Sequence, residues 1–273
     1  MSTVDQTYQR PKRGLGTTRL AGAGLLIFLG GFAIIGPAVI PFDPAAQDFG
    51  ASLAPIGGDY LLGADHYGRS LLARLAHGAR LSFGMAFLTM LAAAIPGVLF
   101  GLIAAWRGGW TERGFEFVAT IVLALPGLML VLLLLAFSPG NYGPLFLGLA
   151  LTLWVEFYRV TKATTKTILS QPHIEAARML GFGSRYILTH YVVPVITPMI
   201  STLAAFAMAT AIIAVSTLSA ISVGLQPPTP ELGSMIVELL PYFAEAPMHV
   251  LLPAALIFLL VLALQLLAQG ERA

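Results

Sequence analysis

Cysteine is absent from the 273-residue chain, which excludes disulfides and any thiolate metal site. Charge is scarce. Asp, Glu, Lys and Arg make up only 10% of residues, against about a quarter in ordinary soluble domains. The small net charge of +2 is spread over loops rather than gathered in a basic patch, so nucleic acid is not an expected partner. No G-x-x-x-x-G-K-[ST] loop is present to cradle phosphates, so ATP is not bound in the P-loop manner. No H-E-x-x-H occurs and the five His are dispersed, so neither a metal site nor a cofactor is predicted. No catalytic constellation stands out, and the chain reads as a non-enzyme. Internal repeats and low-complexity tracts are also missing, which favours a single membrane domain. The missing repeats count against a secondary transporter working alone on an ion gradient, the main alternative reading.

What the chain has is hydrocarbon. Hydrophobic residues make up 57% of it, and the mean hydropathy is +0.84. Apolar runs long enough to cross a bilayer core of roughly 30 Å recur along its length. They predict spans near 20–40, 81–105, 114–137, 144–160, 191–218 and 249–269, an all-α membrane protein with six transmembrane helices. The first run is long, lacks a small-x-small cleavage site and is followed by further spans, so it reads as a span rather than a signal peptide.

The basic residues set an orientation. With the N-terminus inside, Arg10, Lys12, Arg13, Arg19, Arg107, Arg113, Arg159, Lys162, Lys166, Arg178, Arg185 and Arg272 are cytoplasmic, and only Arg69, Arg74 and Arg80 lie outside. The positive-inside rule therefore predicts an N-in, C-in arrangement. Residues 1–19 become a cytoplasmic tail and 20–270 a single transmembrane domain. Segments 41–79 and 219–248 lie outside, and 161–190 is an inside loop. The second outer segment contains Glu231, Glu238 and Glu245 without a Lys or Arg; this acidity reads first as a solvated loop and, as the alternative, as a face for basic patches on a docking protein.

The inside loop is unusual for so hydrophobic a chain. Pro172 suits a first helical turn, and His173 to Leu180 then form a short helix with Glu175, Arg178 and Met179 on one face. Ala176 and Ala177 let another surface approach closely. Gly181 suits a left-handed helix end, and Ser184 a cap for the next helix. On residue pattern alone, a docking surface and a plain surface hairpin both remain open.

Other ionisable residues are read structurally. Asp65, His66 and Arg69 are expected to tie down the outer segment by hydrogen bonds rather than perform acid–base chemistry. Glu116 and Glu156 are placed near the cytoplasmic ends of their spans. Glu156 and Arg159, three residues apart, are expected to form an ion pair, with a substrate contact as the alternative. His249 is expected at the membrane interface. Gly97 and Gly101 form a small-x-x-x-small pair for close helix packing.

Longer motifs carry a family resemblance. Glu175-Ala176-Ala177, Gly181 and then Tyr191-x-Val193-Pro194 resemble the loop by which ABC importer permeases contact their ATPase. Leu62-Gly63-Ala64-Asp65-His66-Tyr67-Gly68-Arg69, with Arg74, Gly78 and Arg80, resembles an outer motif of the dipeptide, oligopeptide and nickel importer permeases. Gly108-Gly109, Glu112 and Ala124-Leu125-Pro126 resemble a second block. Gln226-Pro227-Pro228-Thr229-Pro230, with Gly224, Gly233 and Met235, resembles a third. The chain departs from the family at Phe117 and Thr120, where Arg and Asp are usual.

The resemblance implies the six-span member of a permease pair, with a type I ABC importer permease-like fold. It further implies a second homologous permease, two ATP-binding subunits, an extracytoplasmic substrate-binding protein and the membrane lipid as partners. Residues Glu175, Ala176, Ala177, Arg178, Gly181 and Ser184 would couple to the ATPase. The implied cargo is short peptides first, with nickel or a metal–chelator complex next, and the implied location is a bacterial or archaeal inner membrane.

Overall fold

The computed structural model describes residues 17–137, 141–225 and 227–269. The expected tail thus falls outside them save Thr17 to Arg19, and so do Gln226 and the C-terminal residues 270–273. Among the described residues the chain is helical, with two isolated bridges, Gly57–Tyr60 and Ala64–Ser70, and no strand.

Four helical segments are long and apolar enough to cross a membrane. They are α1 (Thr17–Val39), α2 (Leu71–Arg107), the continuous stretch Ser184–Ala220 and α10 (Pro247–Gln269). A fifth is the pair α3 (Gly109–Leu123) and α4 (Gly127–Phe137), bent by 77° at their junction. The remaining expected span, 144–160, coincides with α5 (Tyr142–Leu169). Its 28 residues reach about 42 Å, but Glu156, Arg159, Lys162 and Lys166 dilute its inner half. Length and composition therefore do not group it with the others.

Two helices form the spine. A Cβ built on Gly97 of α2 would lie 2.6 Å from both Trp154 O and Phe157 Cβ of α5, and one on Gly101 would lie 2.8 Å from Tyr158 O. Both glycines thus let the two backbones touch. Phe100, Phe115 and Trp154 fill the adjoining space, with the Phe100 and Phe115 rings stacked at 4.8 Å. At the inner end α3 is tied to α5 by ion pairs. Lys166 Nζ donates to Glu112 at 2.6 Å, Arg159 Nη2 to Glu116 at 2.9 Å, and Lys162 also reaches Glu116. The expected Glu156–Arg159 pair is therefore not formed, because Arg159 turns to Glu116 on the neighbouring helix.

Around the spine, α1, α2, α8 (Val193–Ala220) and α10 share a core that includes Leu29, Leu75, Ile212 and Leu260. On the other side α4 covers the outer half of α5, with Val131 and Leu135 against Leu145 and Leu149.

Several boundaries differ from the expected ones. Residues 71–79, assigned to the outer segment, are the first turns of α2, which starts after the Ser70 cap. The span 114–137 breaks at Ala124-Leu125-Pro126. Pro126 has no N–H to continue the ladder, and its ring pushes Leu125 out of helical geometry. The span expected at 191–218 begins earlier, because α7 (Ser184–Ile187) leads into it through a π turn at Leu188–Val192. There Val193 N–H bonds back to Leu188 O. Pro194, one residue on, has no N–H to offer His190.

Candidate functional site

The inner loop is a helical elbow. α6 (Pro172–Met179) starts with Pro172 in its first turn and buries Ile174 and Ala177 at i, i+3 spacing. Ile174 sits on Ile168, Ile187, Val192 and Ile196, from the end of α5 and the start of the last-but-one span. Glu175, Ala176 and Arg178 remain on the open side.

The helix ends at Gly181, whose φ is +86°. Gly181 N–H donates to Arg178 O at 3.0 Å and Phe182 N–H to Ala177 O at 3.1 Å. Those two bonds define a Schellman closure, which a left-handed residue makes possible. Beyond it Phe182, Tyr186 and His190 stack in sequence, at 4.5 and 4.1 Å. Met179 and Leu180 project at the tip, 84% and 78% exposed. Ser184 does not cap the next helix as expected. It is the first helical residue, the cap position falls to Gly183, and no side-chain bond is made there. The surface offers a charged flank of Glu175 and Arg178, one small residue, Ala176, and an apolar tip.

The outer face is locked by buried charge. Asp65 and Arg74 are fully buried and Arg69 is 2% exposed. Asp65 accepts from the Arg69 and Tyr67 backbone N–H groups at 2.9 Å, from Arg69 Nε at 2.6 Å, and from Arg74. Glu238, on α9 (Leu232–Leu239), completes the set. It accepts from Arg69 Nη2 at 2.7 Å and from Arg74 Nη1 at 3.0 Å. Two guanidinium groups and two carboxylates thus join the two outer segments in a neutral cluster. Burial pushes the Asp65 carboxyl up, but hydrogen bonds from Arg69 and the charge of Arg74 outweigh it, and the group lies below its ordinary value. Gly68 turns at φ +74° where any Cβ would meet the Asp48 carbonyl.

The acidic outer segment is therefore not the solvated loop expected. Glu238 is an ion-pair member, and Glu231 is fully buried. Glu231 caps α9, accepting from Gly233 and Ser234 N–H at 2.8 and 3.0 Å and from Ser216 Oγ at 2.9 Å. His249, in the first turn of α10, is buried, and its Nε2 contacts Ala54 O at 3.2 Å. Pro227 and Pro228 are exposed at a cis peptide bond. The sequence reading missed the pairing of Arg74 with Glu238 and, separately, the capping role of Glu231. Opposite charges held by two outer segments of an otherwise apolar chain were the available signal.

Glu156 and Arg159 do not meet, and they differ in setting. Arg159 belongs to the inner ion-pair ladder. Glu156 is exposed and has no hydrogen-bond or ion-pair partner among the described residues. Its neighbour Phe157 faces Gly97, ten residues before the end of α2, or about 15 Å from that end.

The family described as "binding-protein-dependent transport system inner membrane component" matches residues 97–270. The chain is 32% identical over 260 residues to the di/tripeptide transport system permease protein DppC of Pseudomonas aeruginosa, covering 93% of this chain and 86% of that protein. It is 29% identical to the dipeptide transport system permease protein DppC of Haemophilus influenzae, over 97% of this chain and 90% of that one. It is 28% identical to the oligopeptide transport system permease protein OppC of Mycobacterium tuberculosis, over 91% and 85%. Among solved structures, a chain of the inward-facing MetNI methionine ABC transporter has a similar fold. Its TM-score is 0.55 at 17% identity, covering 70% of this chain and 91% of that one.

Proposed function

We propose that this chain, which belongs to the family of binding-protein-dependent transport system inner membrane components, forms one half of the membrane pathway of an ATP-driven importer of short peptides. The relatives' named cargoes, from dipeptides to oligopeptides, support the peptide reading. The other half is a second, homologous permease. Two ATP-binding subunits dock on the inner face, and a substrate-binding protein delivers cargo at the outer face.

The observation that carries the coupling role is the elbow. α6 is seated by Ile174 and Ala177, closed at Gly181, and joined through α7 and the π turn to a continuous helical run ending at Ala220. A push on Glu175, Ala176, Arg178 or the apolar tip passes through the Gly181 turn, α7 and the π turn into that helix.

The test is uncoupling in the reconstituted complex. No atom lies within 4 Å of a Cβ built on Gly181, so a substitution there acts through backbone conformation rather than a clash. Gly181→Val opposes the left-handed turn by roughly 1–2 kcal/mol. Peptide uptake should fall about tenfold while the chain stays inserted and assembled. Gly181→Asn, which tolerates that conformation, should keep most activity. Glu175→Lys should also separate ATP hydrolysis from uptake. Normal coupling in both Gly181→Val and Glu175→Lys would remove the docking role.

The proposed orientation is six-spanning, with both ends inside. Accessibility labelling of intact cells should find residues 161–190 protected and 41–70 reactive. Labelling of 161–190 from outside would reverse the orientation.

A further inference from the structure

The three outer arginines are not alike. Arg69 and Arg74 are neutralised by Asp65 and Glu238, whereas Arg80 is exposed and forms no ion pair or hydrogen bond among the described residues. It lines a groove of about 420 Å³ along the outer half of α2, a size ordinary for small-ligand sites. His77, Leu81, Gly84, Met85 and Leu88 share that groove, at the three- and four-residue spacing of one helix face. Thr229, from the outer segment between α8 and α9, lines it as well, so the groove lies at the outer end of the membrane domain. No atom lies within 4 Å of a Cβ built on Gly84, and the floor is open there.

The polar groups of the groove differ in kind. His77 Nδ1–H donates to Ala73 O at 2.9 Å, so the neutral ring presents Nε2 as an open acceptor. Arg80 supplies a fork of donors that matches a carboxylate. Leu81, Met85 and Leu88 supply hydrocarbon. A donor fork, an acceptor and an apolar wall answer the carboxylate, the amide N–H and the side chain of a peptide's last residue. A lipid phosphate would engage the fork alone.

We propose that this groove binds the carboxyl-terminal residue of the peptide cargo, with Arg80 pairing to its carboxylate. This rests on the peptide reading above. His77 accepts from the last amide N–H. The exposed setting of Arg80 keeps the pair weak enough to release.

The absence of cysteine from the chain makes Gly84→Cys a unique thiol in this subunit, set in the open floor of the groove. It is probed in the reconstituted complex of both permeases and the ATP-binding subunits with anionic and cationic methanethiosulfonates, before binding protein is added. Arg80→Gln should lower the anionic-to-cationic ratio of labelling rates roughly tenfold. Dialanine should slow the anionic reagent, and dialanine amide, which lacks the carboxylate, should not. With binding protein added, Arg80→Gln should lower dialanine uptake several-fold, and Arg80→Lys should keep part of it. An unchanged labelling ratio would overturn the proposal, as would equal protection by dialanine and its amide. So would an unreactive thiol, which would mark the groove as covered by lipid or by the second permease. Absence of protection in a complex that does import dialanine would defeat this proposal and leave the peptide reading standing. An unaltered complex that imports no dialanine would defeat both.

Discussion

Arg74→Met should unseat the outer cap and lower the thermal stability of the purified chain by roughly 10 °C. Arg74 is fully buried and bonds both Asp65 and Glu238. Without it two carboxylates share the single guanidinium of Arg69, and one is left buried without a full partner. Breaking a buried pair from one side costs about 3–5 kcal/mol, which for a chain of this size corresponds to a shift of that order. Arg74→Lys should recover only part of the loss, because an ammonium cannot serve two carboxylates in the planar, forked manner of arginine. Asp65→Asn should also destabilise, since it weakens bonds to both arginines while leaving Glu238 in place.

The same cluster sets a pH dependence. The folded Asp65 carboxyl lies below its ordinary value, so its contribution is fully present above the unfolded value of about 3.9. That contribution is lost only as pH falls through the lower, folded value. Asp65 should therefore cause no loss between pH 7 and pH 5. A melting shift under about 2 °C for Arg74→Met would show that the cluster does not hold the cap.

What was legible in the sequence was local. The Pro172 start and Gly181 stop of α6 are each decided within a few residues, and both stand where the sequence placed them. The Gly97–Gly101 spacing read as close helix packing, and α5 is what comes close. Long-range choices were not legible. Glu238 pairs with arginines 164 and 169 positions away, and nothing near it in the sequence separates a buried ion-pair member from a solvated acid. Arg159 had a partner available at i−3 yet turned to Glu116 on another helix, which only the α3–α5 register decides. The bend at Pro126 was written in the sequence, but a continuous apolar run concealed it.

The spine offers the sharpest separation of local propensity from packing. Gly97→Ala and Gly84→Ala make the same chemical change within α2, and they should move stability in opposite directions. No atom lies within 4 Å of a Cβ on Gly84, so alanine there gains only helix propensity, about 0.5–1 kcal/mol. A Cβ on Gly97 would lie 2.6 Å from a backbone carbonyl of α5, and one on Gly101 2.8 Å. Backbone cannot swing aside as a side-chain tip can, so α2 and α5 must separate. Overpacking of this kind costs about 1–3 kcal/mol. The separation also loosens the stacked aromatic ring of α3 and the ladder from Glu112 and Glu116. Gly97→Leu and Gly101→Leu should therefore abolish a stable fold altogether. Melting of the isolated chain in detergent reads all four variants. If Gly97→Ala proved as stable as Gly84→Ala, the two helices would not be in backbone contact.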